Sequence, residues 1–325
     1  MHRTCHLVLF AVCLSFALSN TVNAQKKMAW KFEKGQQRES EIVQQITQVV
    51  NGESLGSVAT LYVSTLIDDV EADGSAIVTK TITRAAMAIA LPGGDKIEYD
   101  SAVGEAQEGT VKMFSDALAP LIGRQVQMKV GTNGHASDIK QLNAPTPNKK
   151  PASLFSPMVR GGQFEQLLAK SFLVFPEHQL VDSGKWKVSG TSALPLGKAS
   201  LTSETAYTYR GTQEENGQVL DRFDVQTTLT IQQPTTEGSP PDTSAAPAFK
   251  ISEQRSSGEL LFDSQNSILV RSKVENVLTL AFATATGEVK QNLTFVTSQS
   301  STIVEPVAPA EDQTVDVGNV EPISE

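Results

Sequence analysis

The stretch LYVSTLIDDVEADGSAIVTKTITRAAMAI, Leu61 to Ile89, decides the fold class. Two β-branched runs flank an acidic break that ends in Asp73-Gly74. Both central residues of a type I′ turn need positive φ, so Asp-Gly between such runs is a strong hairpin signal. Asn51-Gly52, Asn133-Gly134 and Asn216-Gly217 repeat it. IVQQITQVV, Ile42 to Val50, fits a helical stripe through Ile42, Ile46, Val49 and Val50. It equally puts Ile42, Gln44, Ile46, Gln48 and Val50 on one face of a strand. Its β-branched content and the Asn-Gly after it favour the strand. The chain is thus expected to be a succession of long antiparallel strands.

Two stretches carry helical periodicity instead. TVKMFSDALAPLIG places Val111, Phe114, Leu118, Leu121 and Ile122 on one stripe, bent at Pro120 and ended at Gly123. GQFEQLLAKSFLVFP places Phe164, Leu167, Leu168 and Phe172 on another, stopped by Pro176. The expected class is α+β and β-rich, with two related halves of long curved antiparallel strands and one helix each.

An internal echo motivates the two halves. AYTYRGTQEENGQVLDRFDVQTTLTI, Ala206 to Ile231, resembles the opening stretch, and GKWKVSG around Trp186 resembles WKFEKG at Trp30. IEYDS (Ile97 to Ser101) and LLFDS (Leu260 to Ser264) then follow in the same order. Asp100 and Asp263 invite comparison with a catalytic carboxylate pair. Each follows an apolar–x–aromatic alternation, and an Asp there bonds nearby backbone N–H groups at a strand end. The expectation is one strand seen twice, with Tyr99 and Phe262 buried.

The ends set the compartment. Arg3 precedes the apolar run Leu7 to Leu18, and small Val22 and Ala24 follow, so residues 1–24 read as a secretory signal cleaved after Ala24. Twelve residues give roughly 18 Å of helix against a hydrocarbon core of about 30 Å, too short for a span. A secreted or periplasmic location is expected, with no transmembrane segment. Both cysteines, Cys5 and Cys13, fall inside the signal, so the mature chain would have neither disulfide nor thiolate chemistry. Removing Arg3 from the 27 basic residues leaves 26 against 36 acidic, a net of −10 that disfavours nucleic acid. Composition divides the remainder into a first half at 25–142, a Pro/Lys linker at 143–153 and a second half at 154–304. Within the latter, 234–248 reads as a disordered Pro-rich insertion. Residues 305–325 read as a disordered acidic tail.

Candidate chemistry is sparse. GESLG, Gly52 to Gly56, matches the nucleophile-elbow pattern and makes Ser54 a candidate serine nucleophile. A strand, not a helix, is expected after it, so a Gly-rich hairpin loop is the preferred reading. Its base would have to be His135 or His178. DVEADG, Asp69 to Gly74, opens like a calcium loop, but Lys80 stands at the twelfth position where a bidentate Glu belongs. Two isolated histidines do not suggest zinc, and no cofactor motif is present. Trp30 and Trp186 could line a ligand cavity or simply fill a core. Asn292-Leu293-Thr294 is a glycosylation sequon inside an apparent strand.

Taken together, WKFEKGQ, LPGGDKIEYDS, LAPLIG with VGTNG, SGKWKV, YTYRG and GELLFDS resemble an uncharacterised family of exported bacterial proteins, frequent in planctomycetes and carried as a domain of unknown function. The resemblance covers about Trp30 to Thr297. It implies export and an envelope setting, and offers no catalytic residues to carry over. The resulting expectation is a non-enzymatic envelope or periplasmic protein that holds an apolar small molecule or an envelope protein partner. The alternatives are a serine hydrolase at Ser54 and a surface interaction module tethered by its tail and insertion.

Overall fold

A computed structural model describes residues 26–50, 53–90, 93–104, 108–143, 165, 168–181, 183–193, 200–232, 249–284 and 287–304. The expected signal, most of the linker, the insertion and the tail lie outside the described residues. The strands are β1 (Gln37–Val50), β2 (Glu53–Val70), β3 (Ala76–Ala90), β4 (Lys96–Asp100), β5 (Gln125–Val130) and β6 (Ala136–Gln141). They continue with β7 (Lys185–Ala193), β8 (Ser200–Glu215), β9 (Gln218–Gln232), β10 (Phe249–Asp263), β11 (Ile268–Thr284) and β12 (Gly287–Val304). Helix α1 (Gly109–Leu118) follows β4 and runs into a 3-10 turn at Ala119–Leu121. No described helix is long and apolar enough to cross a membrane.

All twelve strands join one antiparallel sheet in the order β6-β5-β3-β2-β1-β12-β11-β10-β9-β8-β7, with β4 beside β3. The first and last strands pair in the middle, from Gln37 opposite Val304 to Val49 opposite Asn292. The predicted hairpins form at Asp73-Gly74, Asn133-Gly134 and Asn216-Gly217, and the fourth pair, Asn51-Gly52, lies outside the described residues. Asn216 and Gly217 have φ of 53° and 78°, the type I′ signature. IVQQITQVV lies in β1, as the strand reading expected.

The sheet is rolled around its own inner face. Val126, Met128 and Val130 of β5 and Trp186 of β7 stand near opposite ends of the strand order, yet belong to one buried cluster. Two irregular segments fill the roll. Residues 26–32 bridge to Leu180 through paired backbone hydrogen bonds from Lys26, and the Trp30 N–H donates to the Thr132 carbonyl. Residues 168–181 lie beside them, with the Phe175 N–H on the Asn133 carbonyl.

The two tryptophans clamp this second segment. The Trp30 indole N–H donates to the Leu173 carbonyl at 2.8 Å, and that of Trp186 to the next carbonyl, Val174, also at 2.8 Å. Trp30 packs edge-on against Phe262 and Phe172, and Trp186 against Phe223. Both are core residues, the second of the two roles the sequence allowed them. Gly134 permits the arrangement: its φ is +81°, and a Cβ there would lie 2.1 Å from the Leu173 oxygen. Gly134→Ala is therefore expected to cost at least about 2 kcal/mol in urea unfolding, through strain and clash together.

The expected pair of halves is corrected in two respects. Both halves feed one core. IEYDS and LLFDS also occupy different places. β4 pairs with the far end of β3, from Ala86 to Ala90, whereas the LLFDS end of β10 pairs with the near end of β9, from Asp221 to Val225. The near end of β3 is taken by β5. A local hairpin pattern recurs without positional equivalence, because sheet neighbours are chosen by long-range packing and not by motif. Trp30 likewise sits in the irregular segment before β1, while Trp186 is on a strand. The first expected helix is α1. Of the second, Glu165, Leu168 and Ala169 are helical, and the intervening positions lie outside the described residues.

Candidate functional site

Among the described residues the two irregular segments fill one end of the roll, and a smaller cluster of Met87, Tyr99 and Phe114 packs α1 against the far end of β3 and β4. β2, β8, β11 and β12 are 16 to 18 residues long, roughly 50 to 60 Å at the usual rise. Buried positions such as Val63, Ile67, Phe223 and Phe262 cluster at the end nearest the β2–β3, β8–β9 and β10–β11 turns. Beyond Ile42 on β1 and Val225 on β9 the strands continue, with their inner faces half-buried.

Alternation and register identify that inner face. On β1 it carries Gln44, Ile46 and Gln48. Ile46 lies opposite Phe295 of β12, which lies opposite Asn276 of β11. Gln48, Leu293 and Leu278 form the next row. On β9 the inner residues are Thr227, Leu229 and Ile231, each half-buried, while Gln226, Thr228 and Thr230 between them are exposed.

No inner-facing residue from Ile42 to Gln48, Val274 to Phe282, Gln291 to Gln299 or Thr227 to Ile231 is ionisable. Over the same spans the outer face carries one ionisable residue, Glu275. Cross-strand ion pairs of the outer face lie outside those spans: Lys187 with Glu204, Arg210 with Asp224, Arg222 with Glu259, and Lys250 with Glu288. The inner surface is thus a half-buried, uncharged wall beside a filled core. One polar atom in it lacks a partner, the buried Oδ1 of Asn276.

The wall also has a seam. β9 and β10 pair by backbone only between Asp221–Val225 and Gly258–Phe262. Beyond Gly258 the side chains of β10 take over. Ser256 Oγ accepts from the Thr227 N–H at 2.9 Å, and the Gln254 amide both accepts from and donates to the Leu229 backbone. Gln254 stands in for a peptide group where the two strands part.

Below the wall, Arg38 and Lys80 face inward and are buried, at 4 % and 5 % exposure. The Lys80 ammonium donates to the Ser171 hydroxyl and lies 4.3 Å from the Phe172 ring centroid. Burial, and then the Arg38 charge, push the Lys80 pKa down to about 7. Arg38 donates from Nε and Nη2 to Gln36 Oε1, and burial lowers its pKa to about 10. Arg38 was not singled out in the sequence, and Lys80 only as the cation that breaks the calcium-loop pattern. The signal was their spacing: Arg38 shares Ile42's face, and Lys80 shares that of Ile82.

The residues that the sequence did single out are scattered. Ser54 lies within β2, opposite Val49 of β1, and not at a strand-to-helix turn. His135 follows the β5–β6 turn beside Ala76 of β3, whereas Ser54 lies near Ala90 at the other end, roughly 45 Å along the strand. His178 is exposed in the filling segment. In DVEADG the carboxylates are engaged locally: Asp69 by Lys34, Asp73 by Ser75, and Glu71 by Lys129. Asp100 accepts from the Ala102 N–H and pairs with Arg84, and Asp263 accepts from the N–H groups of Gln265 and Asn266. Both do the strand-ending work expected of them, and Tyr99 and Phe262 are buried. Asn292 is exposed on the outer face of β12.

No family model matches the chain, and no curated protein does. Among solved structures it is similar to lipovitellin, studied for its lipid–protein interactions, at 14 % identity and a TM-score of 0.43. That likeness covers 87 % of this chain and 26 % of the other, so the chain spans about a quarter of lipovitellin's length. Pseudomonas aeruginosa OpdQ is similar over 84 % of this chain and 100 % of its own, at 7 % identity and a TM-score of 0.20. Botulinum neurotoxin type C, whose cell entry depends on two ganglioside molecules, is similar over 83 % of each chain, at 8 % identity and a TM-score of 0.12. No residue or role is carried across at these scores.

Proposed function

We propose that this is an exported, non-enzymatic envelope or periplasmic protein that holds an apolar small molecule against the uncharged inner wall of its sheet. The supporting observation is the half-buried inner surface, without ionisable side chains over the stretches of β1, β12, β11 and β9 that form the wall, lying beside the filled core. The Asn276 oxygen offers a hydroxyl or N–H of the ligand one acceptor, and the β9–β10 seam offers a way in from the side. Membership of the exported bacterial family, and its envelope setting, form part of this proposal.

Mass spectrometry of organic extracts from natively purified protein tests the reading. A stoichiometric apolar compound is expected, and its absence together with failure to bind added apolar probes would overturn it. Leu293→Glu puts a charge on the wall at a half-buried position. It is expected to weaken binding of a fluorescent apolar probe at least tenfold, since desolvating a carboxylate costs several kcal/mol. Thr294→Glu, one residue along on the outer face, should leave binding unchanged.

A further inference from the structure

We infer that Arg38 and Lys80 form a buried site for one small monovalent anion of the carboxylate type. The two side chains stand in one cross-strand row, Arg38 opposite Thr65 and Thr65 opposite Lys80. The pocket between them and the filling segment has a volume of about 20 Å³, and Ser40, Gln299 and Ser301 also line it. That is room for about one probe sphere, the size of a water or of one carboxylate oxygen.

Among the described residues, the polar groups that hydrogen-bond to the two cations are neutral. Lys80 has the Ser171 hydroxyl and the Phe172 ring; Arg38 has the Gln36 amide and the Trp30 and Phe32 rings, 5.6 and 5.9 Å away. Among the described residues neither cation forms an ion pair. Glu33 acts on Arg38 from an exposed position, less than burial does, and Arg38 is the charged group that acts on Lys80. Two like charges buried in one row without a counter-charge repel each other and forgo hydration. A small anion between them removes both penalties, and hydroxyls lining the pocket add donors. Gln299 lies opposite Ile42, at the first row of the uncharged wall. The anion could therefore be free, or it could be the acid head of a molecule whose chain lies on that wall. Only the second source rests on the proposed function.

The test is the unfolding temperature of the full chain at pH 7 in gluconate, which is too large for the pocket, with acetate or palmitate added at constant ionic strength. Wild type, Lys80→Met and the outer-face control Lys187→Met are compared. Acetate at 0.1 M is expected to raise the midpoint of wild type and the control by about 2 °C or more and to leave Lys80→Met unmoved. An upward move of the Lys80 titration midpoint on adding acetate, followed by NMR in wild type, gives a readout that needs no variant. If palmitate stabilises at micromolar concentration and loses at least tenfold in Lys80→Met, the anion is the head of the wall ligand. If acetate acts and palmitate does not, the site is confined to free anions and the apolar reading is weakened. Palmitate acting equally on wild type and Lys80→Met, with acetate inert, overturns the anion site and leaves the apolar reading standing. If neither anion acts and Lys80 does not shift, the site is overturned.

Discussion

The protein is expected to become more stable as the pH rises from about 7 to about 10, and Lys80→Met is expected to abolish that rise. An unfolded lysine holds its proton up to about 10.5, whereas burial beside Arg38 lowers the folded pKa to about 7. Between those values the unfolded chain binds more protons, so stability grows with pH. The penalty is fully present below pH 7 and is relieved above it. Complete relief would be worth roughly 5 kcal/mol by linkage, an upper figure because buried sites relax and admit water. Arg38, lowered to about 10, extends the trend in the same direction. Tyr207 opposes it from about pH 10 upward. Burial raises its pKa to about 12, so the unfolded phenol ionises first and draws the equilibrium toward unfolding. Above about pH 10 the Arg38 and Tyr207 contributions offset each other, so the rise levels off there. At pH 7, Lys80→Met should be more stable than wild type by about 1 to 4 kcal/mol, since an apolar chain replaces an unpaired buried charge. Urea unfolding of both proteins at pH 7, 8.5 and 10 decides the matter. A flat wild-type profile, or a parallel rise in the variant, would remove Lys80 as the cause.

Trp30→Ala should cost about 3 to 5 kcal/mol, among the largest losses available in this core. The ring contacts Phe32, Phe172, Phe175 and Phe262, so it joins the segment before β1 to the filling segment and to β10. Its removal also strips the Leu173 carbonyl of its indole donor and uncovers the Arg38 guanidinium. Trp30→Phe keeps most of the apolar volume and loses the hydrogen bond, for an expected loss of about 1 to 2 kcal/mol. Urea unfolding measures both, and a loss below about 1 kcal/mol for Trp30→Ala would mean that the filling segment is held by other contacts. The distal wall carries none of this packing, so probe binding per folded molecule should survive in Trp30→Phe.

Local chemistry was legible in the sequence wherever it is decided locally. Asn-Gly and Asp-Gly marked the hairpins: Asn216-Gly217 takes the two positive φ angles of a type I′ turn, and at Asp73-Gly74 and Asn133-Gly134 the glycine alone supplies a positive φ. The alternation in IVQQITQVV put Ile42, Gln44, Ile46 and Gln48 on one face, and that face became part of the wall. Asp100 and Asp263 were read correctly as strand-ending residues. Long-range choices were not legible. Nothing in Gln37 to Val50 names Gly287 to Val304 as its partner, and the echo of IEYDS in LLFDS reflects shared strand chemistry, not a shared place in the sheet. Lys80 sits in TKTITR, which reads as an ordinary half-solvated strand. Its burial comes from Ser171 and Phe172, ninety residues further along the chain, covering it from above. The uncharged wall became visible only once the register of strands from both ends of the chain was known.

Photo-crosslinking with a diazirine-bearing fatty-acid probe, followed by peptide mapping, tests the central claim most directly. Adducts are expected at Leu229, Leu280, Leu293 and Phe295 on the inner wall. Thr228, Thr279 and Thr294, their neighbours on the outer face, should remain unlabelled. Labelling confined to the outer face, or spread equally over both, would contradict a ligand held within the roll.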